Sequence, residues 1–217
     1  MGNKDLINAE TVKEYAKTVG ASVVGIVASA DFASAPDGFK PSDVLDGCLC
    51  VVVLGAPFPR EAIIDDSVEY TDIRNAINEK MNDIAKKTAK KIASEGYKAK
   101  AVSGLSGQIS LKHAAELAGL GVIGKNYLLA NPEYGSLLWF SAVLTDAALT
   151  ADKKAMHTVC GNCGKCVEIC PSKALDNPAS FGKKKCSDTC FKIVNGKWKI
   201  KCFLCRKVCP NNYLQES

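Results

Sequence analysis

No stretch of the chain is apolar for long enough to cross a bilayer. The longest runs, such as Cys48 to Pro57, stop well short of the roughly 20 residues a span requires. The opening segment from Met1 to Asn8 is polar and shows no secretory pattern. The chain is therefore expected to be cytoplasmic, off the membrane and reduced at its thiols. Histidine is scarce, with two residues, and aromatic side chains make up 7%. No internal repeat is visible in the first 150 residues. With 47% hydrophobic and 24% charged residues of both signs, disorder, collagen-like repeats and coiled coil are excluded. A length of 217 residues suits one large domain or a medium one plus a small one.

Cysteine is the exception to this sparseness. There are 11, and all but Cys48 and Cys50 fall between Cys160 and Cys209. Charge divides at the same place. Residues 1–151 carry 15 Lys+Arg against 18 Asp+Glu, a net of −3, whereas residues 152–217 carry 13 against 5, a net of +8. The tail's lysines stand between cysteines with few aromatics among them. That suits a segment balancing anionic cofactors, each thiolate-bound cluster carrying a charge of about −2, better than a nucleic-acid surface. The expected division is a domain over 1–150 and a second over 151–217.

Before that boundary, helices alternate with apolar strands. Asn8 to Gly20 reads as a helix ended by glycine, Ser22 to Ala28 as a strand, and Leu49 to Leu54 as a second strand, apolar throughout and thus covered on both faces. Asp72 to Ser94 is the longest helix, its apolar positions recurring every three or four residues. Lys98 to Val102 reads as a strand, Leu111 to Ala118 as a short helix, and Leu137 to Thr145 as a central strand. The fold class is a layered α/β or α+β core. Cys48 and Cys50 read as core packing residues.

The run Cys160-Gly-Asn-Cys163-Gly-Lys-Cys166-Val-Glu-Ile-Cys170-Pro171 has the C-x2-C-x2-C-x3-C-P spacing of bacterial ferredoxins, whose fourth cysteine ligates the other of two clusters. The run Cys202-Phe-Leu-Cys205-Arg-Lys-Val-Cys209-Pro210 repeats it without the first cysteine, whose place Lys199 takes. Pseudo-symmetry then assigns Cys160, Cys163, Cys166 and Cys209 to one [4Fe-4S] cluster. Cys170, Cys202 and Cys205 form the other, with Cys186 or Cys190, on the intervening loop, as the fourth ligand.

Gly119-Leu-Gly-Val-Ile-Gly124 matches the dinucleotide fingerprint in spacing only, because a helix precedes it where that motif needs a strand. Its glycines still demand a sharp bend or a close approach. The stretch Ala118-Gly-Leu-Gly-Val-Ile-Gly-Lys-Asn126, with Leu128, Tyr134-Gly-Ser136 and Leu144-Thr-Asp146, ahead of the cysteine runs, resembles the epoxyqueuosine reductases and the related reductive dehalogenases. The resemblance covers roughly residues 105–212.

That resemblance implies a nitroreductase-like α/β sandwich followed by a ferredoxin-like domain with two [4Fe-4S] clusters. It implies that electrons pass through the clusters to a cobalamin, whose low-valent cobalt reduces a substrate. It favours Cys186 over Cys190 as the eighth ligand. By carry-over, Gly119, Leu120, Gly121, Val122, Ile123, Gly124, Lys125 and Asn126, with Tyr134, Gly135 and Ser136, would line the cofactor pocket, and Ser106, Gln108 and Ser110 would lie over it. No catalytic residue is assigned. The family's Asp and Pro ahead of the glycine turn are absent from Leu105-Ser-Gly-Gln-Ile109, which argues for a substrate other than epoxide on tRNA. The expected role is reduction of a small molecule or a partner's corrinoid, with electrons from a ferredoxin or flavodoxin and without nucleic acid. The alternatives are a flavin mononucleotide (FMN) reductase, with Lys125 on the phosphate, and an electron-transfer protein lacking a second cofactor. On this reading Gly121→Val abolishes cofactor binding and spares both clusters.

Overall fold

The computed structural model describes residues 7–65, 69–156, 158–177 and 180–212. In chain order the elements are α1 (Ala9–Thr18), β1 (Val23–Ala28), α2 (Pro41–Val44), β2 (Cys50–Pro57), α3 (Glu61–Ile64), α4 (Tyr70–Ser94), β3 (Ala99–Val102) and α5 (Leu111–Leu117). There follow β4 (Val122–Ile123), β5 (Leu129–Ala130), β6 (Leu138–Thr145), α6 (Lys165–Glu168), α7 (Lys183–Cys190), β7 (Phe191–Val194), β8 (Lys197–Ile200) and α8 (Leu204–Lys207). They form two compact units. The first comprises Met1–Ala56, Ile77–Leu120 and Trp139–Ala155, and the second Pro57–Ala76, Gly121–Leu138 and Met156–Ser217.

The first unit is built on a sheet of order β1-β2-β6-β3, with β1 antiparallel to β2 and β3 antiparallel to β6. This is a mixed α/β architecture. The apolar run in β2 behaves as its composition requires: Val51, Val52, Val53 and Leu54 are all fully buried, odd and even positions alike, so neither face meets water. Helix α4 supplies Met81, Ile84 and Ile92 to the core, and Ser141 on β6 donates to the Met81 carbonyl at 2.9 Å. Asn8 caps α1 by accepting from the Thr11 amide, and Gly20, at φ +114, ends that turn.

Cys48 and Cys50 are both buried. Their thiols donate to the carbonyls of Cys50 and Leu149, and burial raises both pKa values. They serve as core residues. Gly25 is where β1 meets the end of α5: a Cβ there would stand 2.8 Å from the Ala118 carbonyl oxygen and 2.9 Å from the Ala118 methyl. Gly25→Ala is expected to destabilise the protein by about 1–3 kcal/mol, read as a lowered midpoint in thermal unfolding.

In the second unit, β4 and β5 pair as a small antiparallel hairpin, as do β7 and β8. The stretch after Gly121 thus opens a strand, not the helix that a dinucleotide site requires. Cys186 and Cys190, expected on a loop, lie on helix α7.

Candidate iron–sulfur centre

Each cysteine run places its central thiol on a one-turn helix. Cys166 lies on α6 and Cys205 on α8, and both runs leave the site through a Cys-Pro pair, Cys170-Pro171 and Cys209-Pro210. Cys160, Cys163, Cys166 and Cys209 line a single cavity, to which Gly124 and Asn126 also contribute. Cys205 has the sulfurs of Cys186, Cys202 and Cys166 as electrostatic neighbours, and Cys170 shares an apolar cluster with Cys186 and Cys205. The thiols therefore gather in two groups that meet at Cys166 and Cys205. Among the described residues, no three His, Cys, Asp or Glu side chains converge on one metal ion.

Burial sets the protonation balance of most of these thiols. Burial pushes the Cys205 thiol up to about 12. Burial also raises Cys166, helped by the sulfurs of Cys160, Cys209 and Cys163, and it raises Cys209. Cys170 shifts the other way. Burial acts against its thiolate, but a hydrogen bond with the Ser172 hydroxyl and bonds with the backbone at Ala174, Ser172 and Leu175 outweigh it. A bound metal reverses the cost at the buried thiols, because a coordinating thiol is deprotonated outright.

The glycine turn is tied to the first group of thiols. A Cβ on Gly124 would lie 3.2 Å from the Cys160 sulfur, so glycine allows the backbone to close on it. The Lys125 amide donates to that sulfur at 3.4 Å. The Lys125 ammonium donates to the carbonyls of Gly161 (3.0 Å) and Cys163 (2.8 Å), clamping the loop between Cys160 and Cys163 from outside. Asn126, buried, donates to the Cys205 carbonyl. Tyr127, at φ +56, stacks on Phe181.

The Tyr134–Ser136 turn holds the far end of the second cysteine run. The Ser136 amide and hydroxyl both donate to the Asn212 side-chain oxygen, at 2.7 and 3.0 Å, and Asn212 donates in turn to the Arg206 carbonyl at 2.7 Å. A Cβ on Gly135 would strike the Asn211 carbonyl oxygen, and one on Gly121 the Ala130 carbonyl oxygen. These glycines are accounted for by the protein's own backbone.

Of the remaining carried-over residues, Ser106, Gln108, Ser110, Gly119 and Leu120 lie in the first unit. Ser110 caps α5 by accepting from the His113 amide, while the His113 ring packs edge-on against Phe32. Ser106 is exposed and donates to the Ser103 carbonyl, and Gln108 follows it in the same loop. A Cβ on Gly119 would meet the Lys153 carbonyl oxygen, and Leu120 is half-buried. Val122 and Ile123, in the second unit, pair with Ala130 and Leu129. His157 lies outside the described residues.

An arrangement that the motifs do not disclose lies against the second group of thiols. Tyr70 stacks on Phe203 with ring centroids 4.5 Å apart and also contacts Phe58. Arg206 donates to the Tyr70 hydroxyl at 3.0 Å, and its guanidinium covers the Phe58 ring at 4.9 Å. Arg206 is only 6% exposed, so it places a cation in low dielectric beside Cys205.

No family model matches the chain. Curated relatives do. Epoxyqueuosine reductase from Prochlorococcus marinus (strain NATL2A) is 36% identical over 110 residues, covering 45% of this chain and 35% of the relative. The enzyme from Bacillus subtilis (strain 168) is 24% identical over 94% of this chain and 63% of its own length. Over these stretches the chain is similar to the epoxyqueuosine reductases. It spans between about a third and just under two thirds of these relatives.

Solved structures share the chain's fold. A reductive dehalogenase superposes with a TM-score of 0.78 at 22% identity, over 97% of this chain and 33% of that one. An epoxyqueuosine reductase bearing an epoxyqueuosine-modified tRNA stem loop gives 0.70 at 22%, over 94% and 64%. A reductive dehalogenase described in terms of B12-dependent dehalogenation gives 0.67 at 23%, over 80% and 26%.

Proposed function

We propose that the protein is an iron–sulfur reductase that carries electrons through two [4Fe-4S] clusters to a cobalamin. The observation that carries the cluster reading is the meeting of the two thiol groups at Cys166 and Cys205. Cys160, Cys163, Cys166 and Cys209 would hold one cluster, and Cys170, Cys186, Cys202 and Cys205 the other. The donor set fits: eight cysteines in two groups, with an amide aimed at Cys160 and hydrogen bonds to Cys170, such bonds being a main control of cluster potential.

Fold likeness to a B12-dependent dehalogenase supports cobalamin as the second cofactor. A cobalamin would supply the reductive chemistry itself. This chain's share is to seat the electron carriers. Lys125 and Asn126 brace the loop around the first cluster, while Gly135 and Ser136 fasten the segment behind Cys209. Those four residues are committed to the cysteine module, so the pocket carried over from the family retains fewer free members. The reading of a nitroreductase-like cofactor domain followed by a ferredoxin-like one over 151–217 is part of this proposal, with Pro57–Ala76 and Gly121–Leu138 grouped in the same compact unit as the cysteine segment.

The substrate is proposed only by class. The placement of the tail's lysines between cysteines, with few aromatics among them, argues against nucleic acid, yet a solved structure of similar fold carries a tRNA stem loop, which reopens that class for this chain. The absence of an aspartate from Leu105–Ile109 favours a small molecule or a partner's corrinoid.

The test is anaerobic purification with iron analysis and optical titration against hydroxocobalamin and FMN, followed by binding of a tRNA stem loop. About eight irons per chain and saturable corrinoid bands are expected. Zinc, or about four irons, would refute the two-cluster scheme. Saturable binding of FMN alone would transfer the assignment to a flavin reductase, and binding of neither would leave an electron-transfer protein.

A further inference from the structure

The hairpin β7–β8 lies in the chain between Cys190 and Cys202 and has no part in the site so far described. Its register pairs Phe191 with Ile200 and Ile193 with Trp198, and on the alternate positions Lys192 with Lys199 and Val194 with Lys197. One face is thus wholly apolar and the other mostly lysine. The apolar face is open: Ile193 is 65% exposed, Trp198 66% and Phe191 40%. Phe191 meets the indole only edge-on, with centroids 6.5 Å apart.

The base of the hairpin is firmly held. The Ile200 amide donates to the Thr71 hydroxyl at 2.8 Å, Lys199 pairs with Asp72 at 3.0 Å, and Lys201 pairs with Glu69 at 3.1 Å. The Lys201 amide donates to the Cys190 carbonyl, and the Cys190 thiol to the Cys202 carbonyl. At the tip, Asn195 and Gly196 both take positive φ, +51 and +72, as a tight two-residue hairpin turn requires. An anchored ribbon that shows an indole and an isoleucine to water has the character of an interaction surface.

We propose that this apolar face is the docking site of a small acidic electron-donor protein and the point at which electrons enter the second group of cysteines. The inference rests on reading those cysteines as cluster ligands. Position supports it: Trp198 precedes Cys202 by four residues, roughly 13 Å of extended chain.

Charge selects the occupant. The hairpin carries three lysines and no acid, and Lys183, Lys184 and Lys185 lie close by in sequence. A second copy of this chain would bring the same positive charge and be repelled, whereas an acidic protein is steered in. Nucleic acid is disfavoured, because a stacking platform needs cations beside its aromatic rings and this hairpin sends its lysines to the opposite face. In the transfer, one electron leaves the donor's reduced centre and enters the oxidised cluster. The donor departs oxidised, and no bond or proton is exchanged.

The test uses the full chain, purified anaerobically, with the variants Ile193→Ala/Trp198→Ala and Lys192→Glu/Lys197→Glu. Reduced ferredoxin and flavodoxin hydroquinone are the probes, and bleaching of cluster absorbance in stopped flow is the readout. Iron content and reduction by dithionite are expected to match wild type. Reduction by the protein donors should slow about tenfold or more at low salt, and the wild-type rate should fall steeply as salt is added.

Donor rates equal to wild type would overturn the proposal. Loss of tRNA stem-loop binding with donor rates intact would assign the face to nucleic acid instead. A wild-type dimer dissolved by the variants with donor rates intact would assign it to self-association. A wild-type protein without clusters would defeat the underlying reading and the inference with it, a result that the iron analysis separates from the others.

Discussion

Cys186→Ala is expected to take the protein from about eight irons per chain to about four, or to convert one cluster to a form missing an iron, while Cys190→Ala keeps both clusters. The two residues are one helical turn apart on α7, yet their surroundings differ. Cys186 is packed with Cys170 and neighbours Cys205. Cys190 gives its thiol to the Cys202 carbonyl at 3.2 Å, and burial raises its pKa. It closes the neck of the β7–β8 hairpin. Losing that bond costs about 1 kcal/mol and lowers the thermal midpoint without changing iron content. Iron analysis with electron paramagnetic resonance of the reduced protein reads the difference. A Cys190→Ala protein that loses iron while Cys186→Ala retains it would reverse the ligand assignment.

Gly121→Val is expected to remove the cluster proposed at Cys160, Cys163, Cys166 and Cys209, or to leave little soluble protein. This departs from what the sequence suggests, namely loss of a second cofactor with both clusters spared. The reason is steric. A side chain at Gly121 strikes the Ala130 carbonyl oxygen and the backbone beyond it, with Asn131 Cα 3.2 Å away. The β4–β5 hairpin would be forced apart, and that hairpin carries Gly124 and Lys125 to the Cys160 sulfur. Iron content and soluble yield are the measurements. A Gly121→Val protein with full iron and failed cobalamin binding would restore the cofactor-facing role of the turn.

The features legible in the sequence were those written in local spacing. The all-apolar β2, the periodic α4 and the C-x2-C-x2-C-x3-C-P run each contain their own instruction, and the resemblance to epoxyqueuosine reductases stood on residues 118–146 together with that run. The β7–β8 hairpin was equally legible. Asn195-Gly196 between Phe191-Lys-Ile-Val194 and Lys197-Trp-Lys-Ile200 is a strong hairpin signal, but its place between cysteines made it look like spacer.

Other features had no local signature. Arg206 finds the Tyr70 hydroxyl across 136 positions of sequence, and Ser136 finds Asn212 across 76. Lys125 reads as a phosphate binder by its place in a glycine turn, whereas the structure turns it onto the carbonyls of Gly161 and Cys163. Only the tertiary fold supplies those partners.

The second unit is assembled from three separated stretches, Pro57–Ala76, Gly121–Leu138 and Met156–Ser217. The cysteine segment is therefore not a detachable cassette. Excised by itself it would leave Phe203 without the ring it stacks on, Arg206 without a hydroxyl to hold, and Cys160 without the amide that reaches its sulfur. Transplanting the cysteine segment to another host would mean carrying those braces along, so segment and host are bound to change together.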